Sequence, residues 1–373
     1  MPILKTARLD TTNAKNAVTW SNVKKKNSGW IQKKALAVVI IIALLLGFEV
    51  YAIAIGNAES QTDLPENYGN FQRNRDVLEQ QAPKERFSFA IVGDTQVSGT
   101  FEILCDKLRD EPLSFMVILG DFVEDCRKEN HDYFRYECIK KYRLPFPVFL
   151  VTGNREVAYD EREQDINKVS LIDFEEMYGK PNFSFEYNGC LFIGLCILPP
   201  PYSTRKSIDF LESTLVEKRK DNQKVFVFMH MPPVLKPDST MACCENVQEL
   251  VDIISKNKVD YVISAHYHGY RKTEYRGTVY LVSGGGGGDL DETETFGDLH
   301  HAIVLTVDHE SVSEKVIFAQ RSADISNAVK HFAVAELYPF FVQHPVLTIA
   351  ENLVMICIIC FATLLARKRT YSL

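Results

Sequence analysis

Five short segments of the chain share one design: an apolar run of strand-forming residues that ends in side chains able to hold a metal. They are Phe87 to Gln96 (FSFAIVGDTQ), Val117 to Asp121 (VILGD), Pro147 to Glu156 (PVFLVTGNRE), Val225 to His230 (VFVFMH) and Tyr261 to His268 (YVISAHYH). Their ends supply Asp94, Gln96, Asp121, Asn154, His230, His266 and His268. Carboxylates, amide oxygens and imidazoles together suit hard or borderline divalent cations. In an open α/β sheet the carboxyl ends of the strands share one edge, where ligands bind. The pattern therefore predicts that these residues converge on one pocket. Taken singly each motif is weak, because a lone histidine is more often a core residue than a ligand; the ordered series carries the reading.

The elements that would position these residues alternate. Phe101 to Arg109, Ile208 to Val216 and Val247 to Lys256 have the apolar spacing of amphipathic helices. Strands alternating with such helices predict a doubly wound sheet. The second half holds more strand than that scheme needs. Phe183 to Tyr187 and Cys190 to Leu198 flank Asn188-Gly189, a strong hairpin signal. Thr278 to Ser283, His301 to Val307 and Val312 to Gln320 add further strands, so a second sheet packed on the first is expected. The domain is assigned to residues 86–322, with no internal repeat.

Two flanking segments differ from this domain. Residues 35–56 form an apolar stretch with Glu49 as its one charge, and as a helix it would span about 33 Å, enough for a bilayer. Residues 346–366 form a second candidate span, with Glu351 and Asn352 near its start. Residues 1–34 are read as a basic tail, 57–85 as a polar linker, 323–345 as a juxtamembrane helix and 367–373 as a short basic tail. Lysine and arginine dominate both tails, and the positive-inside rule places both in the cytoplasm. The domain between them would then be periplasmic, extracellular or lumenal. Of the 42 basic and 49 acidic residues, 31 and 46 fall outside the tails and spans, a net charge of −15. Such an acidic surface repels polyanions, so nucleic acid is not an expected partner.

The ordered series Asp94-x-Gln96, Gly120-Asp121, Gly153-Asn154, His230 and His266-x-His268 resembles the calcineurin-like metallophosphoesterases, over about Phe87 to Val307. The resemblance implies an α/β/β/α two-sheet sandwich, here flanked by two transmembrane helices. It also implies two divalent ions (Mn, Zn or Fe) bridged by Asp121. One would take Asp94, Gln96, Asp121 and His268; the other Asp121, Asn154, His230 and His266. Two cations roughly 3.5–4 Å apart clamp a phosphate and ionise a bridging water for in-line attack. The implied activity is hydrolysis of a phosphate mono- or diester. Three positions depart from the family pattern. Gln96 and Arg155 each stand where histidine is usual, and Ala265 stands where glycine is usual. Arg155 can fork to phosphate oxygens but cannot donate a proton at neutral pH. A catalytically silent member that binds a phosphorylated ligand or a protein partner is the alternative reading.

Other features have competing explanations. Gly284 to Gly288 is either a phosphate cradle or, as favoured here, a flexible loop. His300 and His301 are expected to be structural or at the surface. Met229 and Met231 are expected to pack. Asn182-Phe-Ser184 fits a glycosylation acceptor. Cys126 and Cys138 are either a disulfide or free thiols. Tyr338, Phe340 and Phe341 suit a membrane interface. With tethering at both ends, they favour a lipid-linked phosphate over a soluble one.

Overall fold

A computed structural model describes residues 12–96, 98–160, 165–221, 223–233, 244–290, 299–321 and 325–368. The chain divides into two units, Gly56–Ala335 and the flanking segments Met1–Ile55 with Glu336–Leu373.

Gly56–Ala335 is built on two sheets. The first contains β1 (Phe87–Val92), β2 (Leu113–Ile118), β3 (Val148–Leu150), and, from late in the chain, two more strands that reach it after the second sheet is complete. That second sheet contains β4 (Phe183–Tyr187), β5 (Cys190–Leu195), β6 (Val225–Met229), β7 (Tyr261–Ser264), β8 (Tyr270–Tyr275) and β9 (Thr278–Ser283). β10 (His300–Val307) then pairs antiparallel with β1, and β11 (Val312–Ala319) with β10. The orders are β11-β10-β1-β2-β3 and β4-β5-β6-β7-β9-β8. The metal-type residues follow β1, β2 and β3 of one sheet and β6 and β7 of the other, so two sheets supply the site, not the single edge of one. β8 was not anticipated, since its exposed, charged sequence lacks an apolar face.

Period-two alternation explains the layers. Phe87, Phe89 and Ile91 of β1 face Phe192 of β5 and Phe226 and Phe228 of β6, forming the core between the sheets. Phe89 meets Phe192 and Phe226 edge-on at 5.5 and 5.4 Å. Such pairs add about 0.5–1.5 kcal/mol each beyond area burial. The alternate residues Leu191, Ile193 and Leu195 face outward and are covered by Ile208, Leu211, Leu250 and Ile254 of the helices Arg205–Lys218 and Val247–Lys256. The helix Gly99–Arg109, which follows β1, buries Phe101, Leu104 and Leu108. The α/β/β/α sandwich is thus present. The Asn188-Gly189 turn joins β4 to β5 with positive φ at both residues, 48° and 78°, as the hairpin signal requires.

The segment read as a linker is folded. Tyr68 is buried, and the Asn70 amide exchanges hydrogen bonds with the Leu150 backbone at 2.7 and 2.9 Å. Asn67 donates to the carbonyls of Leu144 and Phe146. Polar side chains that suggest solvent here satisfy the open edge of β3. At the other end the unit extends past residue 322. Asn327 donates to Glu102 at 2.7 Å, and Arg127 donates to the Ala335 carbonyl at 3.0 Å. The juxtamembrane segment is helical over Ile325–Phe332 and Tyr338–Gln343, with a π-helical turn at Ala333–Leu337 between them.

Among the described residues no disulfide joins Cys126 to Cys138; Cys138 is turned into the core, and Cys243 lies outside the described residues. The glycosylation pattern is absorbed into the sheet. Asn182 accepts from the Cys196 N–H, and Ser184 is buried in β4.

In the flanking segments one helix runs Thr12–Ser60, so helix begins well inside the stretch read as a tail. Gln32–Ser60 and Pro345–Leu364 are long and apolar enough to cross a membrane, with hydropathies of 2.8 and 2.2. Asn352 donates to Glu49 at 2.7 Å, so a polar group near the start of one helix meets one in the other.

His131 ties the helix Lys128–Glu137 to the loop after β3. It is fully buried, with Nδ1 2.9 Å from the Tyr178 hydroxyl and Nε2 3.0 Å from the Glu156 carbonyl oxygen. Burial, aided by Arg135, drives its pKa from 6.5 down to about 3. The unfolded chain therefore binds a proton on this residue near 6.5 that the folded chain refuses until about 3. Stability from this group is complete above 6.5 and declines as the pH falls toward 3. Lowering the pH from about 7 to about 5 should cost on the order of 2 kcal/mol through His131 alone. Urea unfolding of wild type and His131→Asn at the two pH values checks this, with a smaller pH-dependent loss expected in the variant.

A candidate metal centre at the strand ends

Each strand stops shortly before its functional side chain. Asp94, Gln96, Asp121 and His266 have φ values of 57°, 42°, 53° and 70°. Non-glycine residues adopt this left-handed region at a cost of about 1–2 kcal/mol each. The turn swings each side chain off the sheet line and into the space where the two sheets meet. Gly120, with φ 89°, permits a close approach: a Cβ there would stand 2.8 Å from His230 Nδ1 and from the Gly153 backbone.

His230 is held by its far nitrogen. Nδ1–H donates to the Leu119 carbonyl at 2.8 Å, which leaves Nε2 facing the pocket. There Nε2 lies 3.1 Å from Asn154 Oδ1, 3.3 Å from His266 Nδ1 and 3.4 Å from Asp121 Oδ1. The ligand atoms of Asp121, His230 and His266 all lie within 4.8 Å of one another. Asp94 Oδ2 accepts the His266 backbone N–H at 2.8 Å. Its Oδ1 is buried without a hydrogen-bond partner, 3.4 Å from His268 Nε2. His268 Nδ1 is paired with the Asp289 carbonyl. The structure thus brings all seven sequence-identified residues to one place, and the convergent lone pairs with an unpartnered buried carboxylate oxygen fit a bound cation.

The electrostatics agree. Burial would depress the His230 imidazole, but Asp121, with Asp94 and Glu156, outweighs burial and lifts it to about 10. Burial would raise Asp121, but His230 and Arg155 hold it below the ordinary carboxylate value. Burial and the neighbouring His230 bring His266 down to about 4, which keeps it neutral, the state that binds metal. The pocket is a concentration of negative charge that calls for a positive partner.

Arg155 points into the site. Its Nε lies 3.4 Å from Asp121 Oδ2, and the Gln96 amide satisfies Nε and Nη2 at 3.1 and 3.2 Å when it is turned to place its oxygen toward them. Nη1 donates to the Glu124 carbonyl at 2.7 Å. Glu124 was not singled out from sequence.

Glu156 was also passed over, although it ends the third motif. Fully buried, it accepts four backbone N–H groups: Asp121 and Gly153 on Oε2 at 2.9 and 2.6 Å, Phe122 and Val123 on Oε1 at 2.7 and 3.3 Å. Burial and the Asp121 charge raise its pKa to about 8. The signal available was a carboxylate placed three residues after a strand-ending glycine.

The five glycines after β9 are tightly packed and not a slack loop. A Cβ on Gly284 would meet Asp94 Oδ2 at 2.5 Å, and one on Gly288 would meet Gln96 and His268 at 2.9 Å. His301 is buried, with Nδ1 2.6 Å from the Leu299 carbonyl, and His300 is buried beside it. Met229 and Met231 pack in the outer core as expected.

Glu156→Gln tests the support. An amide can offer only one oxygen, so two N–H donors would face an NH₂. The expected loss is about 2–4 kcal/mol of stability, read by thermal melting. Any phosphoesterase activity should fall with it.

Residues 87–270 match the family model described as calcineurin-like phosphoesterase. No curated protein matches the chain by sequence. A purple acid phosphatase from yellow lupin (Lupinus luteus) has a similar fold, with a TM-score of 0.51 and 17% identity over 64% of this chain and 52% of the lupin chain. The chain thus spans about half the length of that enzyme. A dimetal phosphatase from Danio rerio gives a TM-score of 0.48 at 14% identity, over 63% of this chain and 98% of that one. GAP50, the anchor in the inner membrane complex of Plasmodium, gives 0.45 at 17% identity, over 68% and 96%. The family match falls on the segment that carries every candidate ligand from both sheets, and that segment is a calcineurin-like phosphoesterase domain.

Proposed function

We propose that the chain is a metal-dependent phosphoester hydrolase, anchored in a membrane through its two apolar helices. The observation that carries this reading is the approach of Asp121, His230 and His266 ligand atoms to within 4.8 Å at the ends of strands from two sheets. Asp121, Asn154, His230 and His266 would hold the metal, with Asp94, Gln96 and His268 beside it. When bound, a divalent ion there would polarise the phosphoryl group and acidify water.

The chain's own residues then have separable roles. The Leu119 carbonyl fixes the His230 ring so that Nε2 is presented to the pocket. Glu156 fixes the turns that carry Asp121 and Asn154. Arg155, about one-third exposed, supplies positive charge at the pocket mouth for phosphate oxygens. It cannot protonate a leaving group, so esters with acidic leaving groups are the favoured substrates.

Two finer proposals rest on the sequence. Basic tails support a domain on the non-cytoplasmic side. Aromatic residues before the second apolar helix, with Phe340 partly exposed, support a lipid-linked phosphoester. Epitope tags at both termini should become accessible only after permeabilisation. Tags accessible on intact cells would reverse the orientation.

Activity is tested on a series of phosphate mono- and diesters graded by leaving-group acidity. Asp121→Asn should reduce turnover about 1,000-fold or more, since effects of that size follow loss of a central electrostatic group. Arg155→His should recover turnover of poor leaving groups by restoring a proton donor. No turnover by wild type on any ester, with phosphate still bound, would favour the phosphate-binding alternative.

A further inference from the structure

We infer that the centre holds one divalent cation, and that the Arg155 guanidinium occupies the place of a second. This rests on the metal-dependent reading above and specifies it. Of the two ligand sets that share Asp121, only one closes. Asp121 Oδ1, His230 Nε2 and His266 Nδ1 face one another, with Asn154 Oδ1 3.1 Å from His230. The other set is Asp94, Gln96, Asp121 and His268. There Arg155 stands against two of the four donors: Nε lies 3.4 Å from Asp121 Oδ2, and the Gln96 amide, once turned so that its oxygen faces the guanidinium, accepts from Nε and Nη2 at 3.1 and 3.2 Å.

The guanidinium is not a loose side chain that a metal would displace. Its Nη1 donates to the Glu124 carbonyl at 2.7 Å and lies 3.6 Å from the Glu124 carboxylate. Its own backbone N–H donates to Asp121 Oδ1 at 3.0 Å. Arginine keeps its charge at any working pH, so it repels a second cation under all conditions where the protein is folded. What remains of that set is Asp94 Oδ1, buried 3.4 Å from His268 Nε2, and His268 itself, since Asp94 Oδ2 accepts the His266 N–H; two donors do not close a site.

The two sequence departures that stood apart as separate oddities meet here. Gln96 and Arg155 lie 59 positions apart, yet each is the other's hydrogen-bond partner. A histidine at 96 would present a ring where the guanidinium needs an amide oxygen. The pair is one substitution in two parts: a neutral acceptor and a fixed cation in place of two imidazoles. The fixed charge beside Asp121 would face phosphoryl oxygens as the second metal does elsewhere, without needing to be loaded.

Full-length protein in detergent is equilibrated with Mn²⁺, freed of excess ion, and analysed for metal content and by electron paramagnetic resonance. Wild type should hold one equivalent with an uncoupled Mn²⁺ signal. Arg155→Ala should hold two, with the signal of an exchange-coupled pair. Arg155→Lys, which keeps the charge, should remain at one. If the alanine variant loses its fold, Arg155→Met keeps the aliphatic stem and removes the charge. Two equivalents in wild type overturn the inference and leave the hydrolase reading standing. One equivalent in both wild type and the charge-removing variant shows that Arg155 does not exclude the second ion, and also overturns it. No metal in wild type overturns this inference and the metal-dependent reading together.

Discussion

The candidate site depends on one buried carboxylate. Glu156 takes N–H groups from Asp121, Phe122 and Val123 after β2 and from Gly153 after β3. Those strands end where helical or sheet partners for these donors have run out, and an unpaired buried N–H costs as much as a lost hydrogen bond. One side chain meets the need of both turns and so fixes their spacing. The left-handed backbone at Asp121 follows from this anchoring, because the strain is retained only where the surroundings over-determine it. His131 secures the same loop from outside through the Glu156 carbonyl. The geometry at Asp121 is therefore inherited from residues that never face the pocket.

Much of this was legible in the sequence, for a physical reason. A parallel strand covered on both faces must be apolar throughout, so a polar residue directly after such a run marks its exit. Asp94, Asp121, Asn154, His230 and His266 announce themselves in that way. Which sheet a strand joins is set by long-range pairing, and period-two alternation reads the same in either. Hence the division of the ligands between two sheets was not visible. The segment 57–85 misled because Asn67 and Asn70 spend their amides on the backbone at the β3 edge, and composition cannot distinguish that from solvation. Arg155 was read as facing the phosphate, but its tie to Glu124 was not legible, since the Glu124 groups that hold it lie a strand away.

The charge pattern has the same logic at a larger scale. An acidic domain with a cluster of carboxylates at its centre favours a cation and disfavours polyanions. The lifted His230 registers that field directly. Arg155 answers part of it with a covalently attached charge, whereas a metal would answer the rest by association.

The glycine run 284–288 carries a consequence for how this sequence can change over generations. Low-complexity tracts of one residue are usually read as the most forgiving part of a protein. Here each member abuts something fixed: Asp94 and the Tyr267 carbonyl, His301, the Gly93 carbonyl, Ser98, then Gln96 and His268. One glycine more or fewer would move the wall of the pocket by a whole residue, shifting two candidate ligands at once. The most monotonous stretch of the chain is therefore among its least tolerant of a change in length.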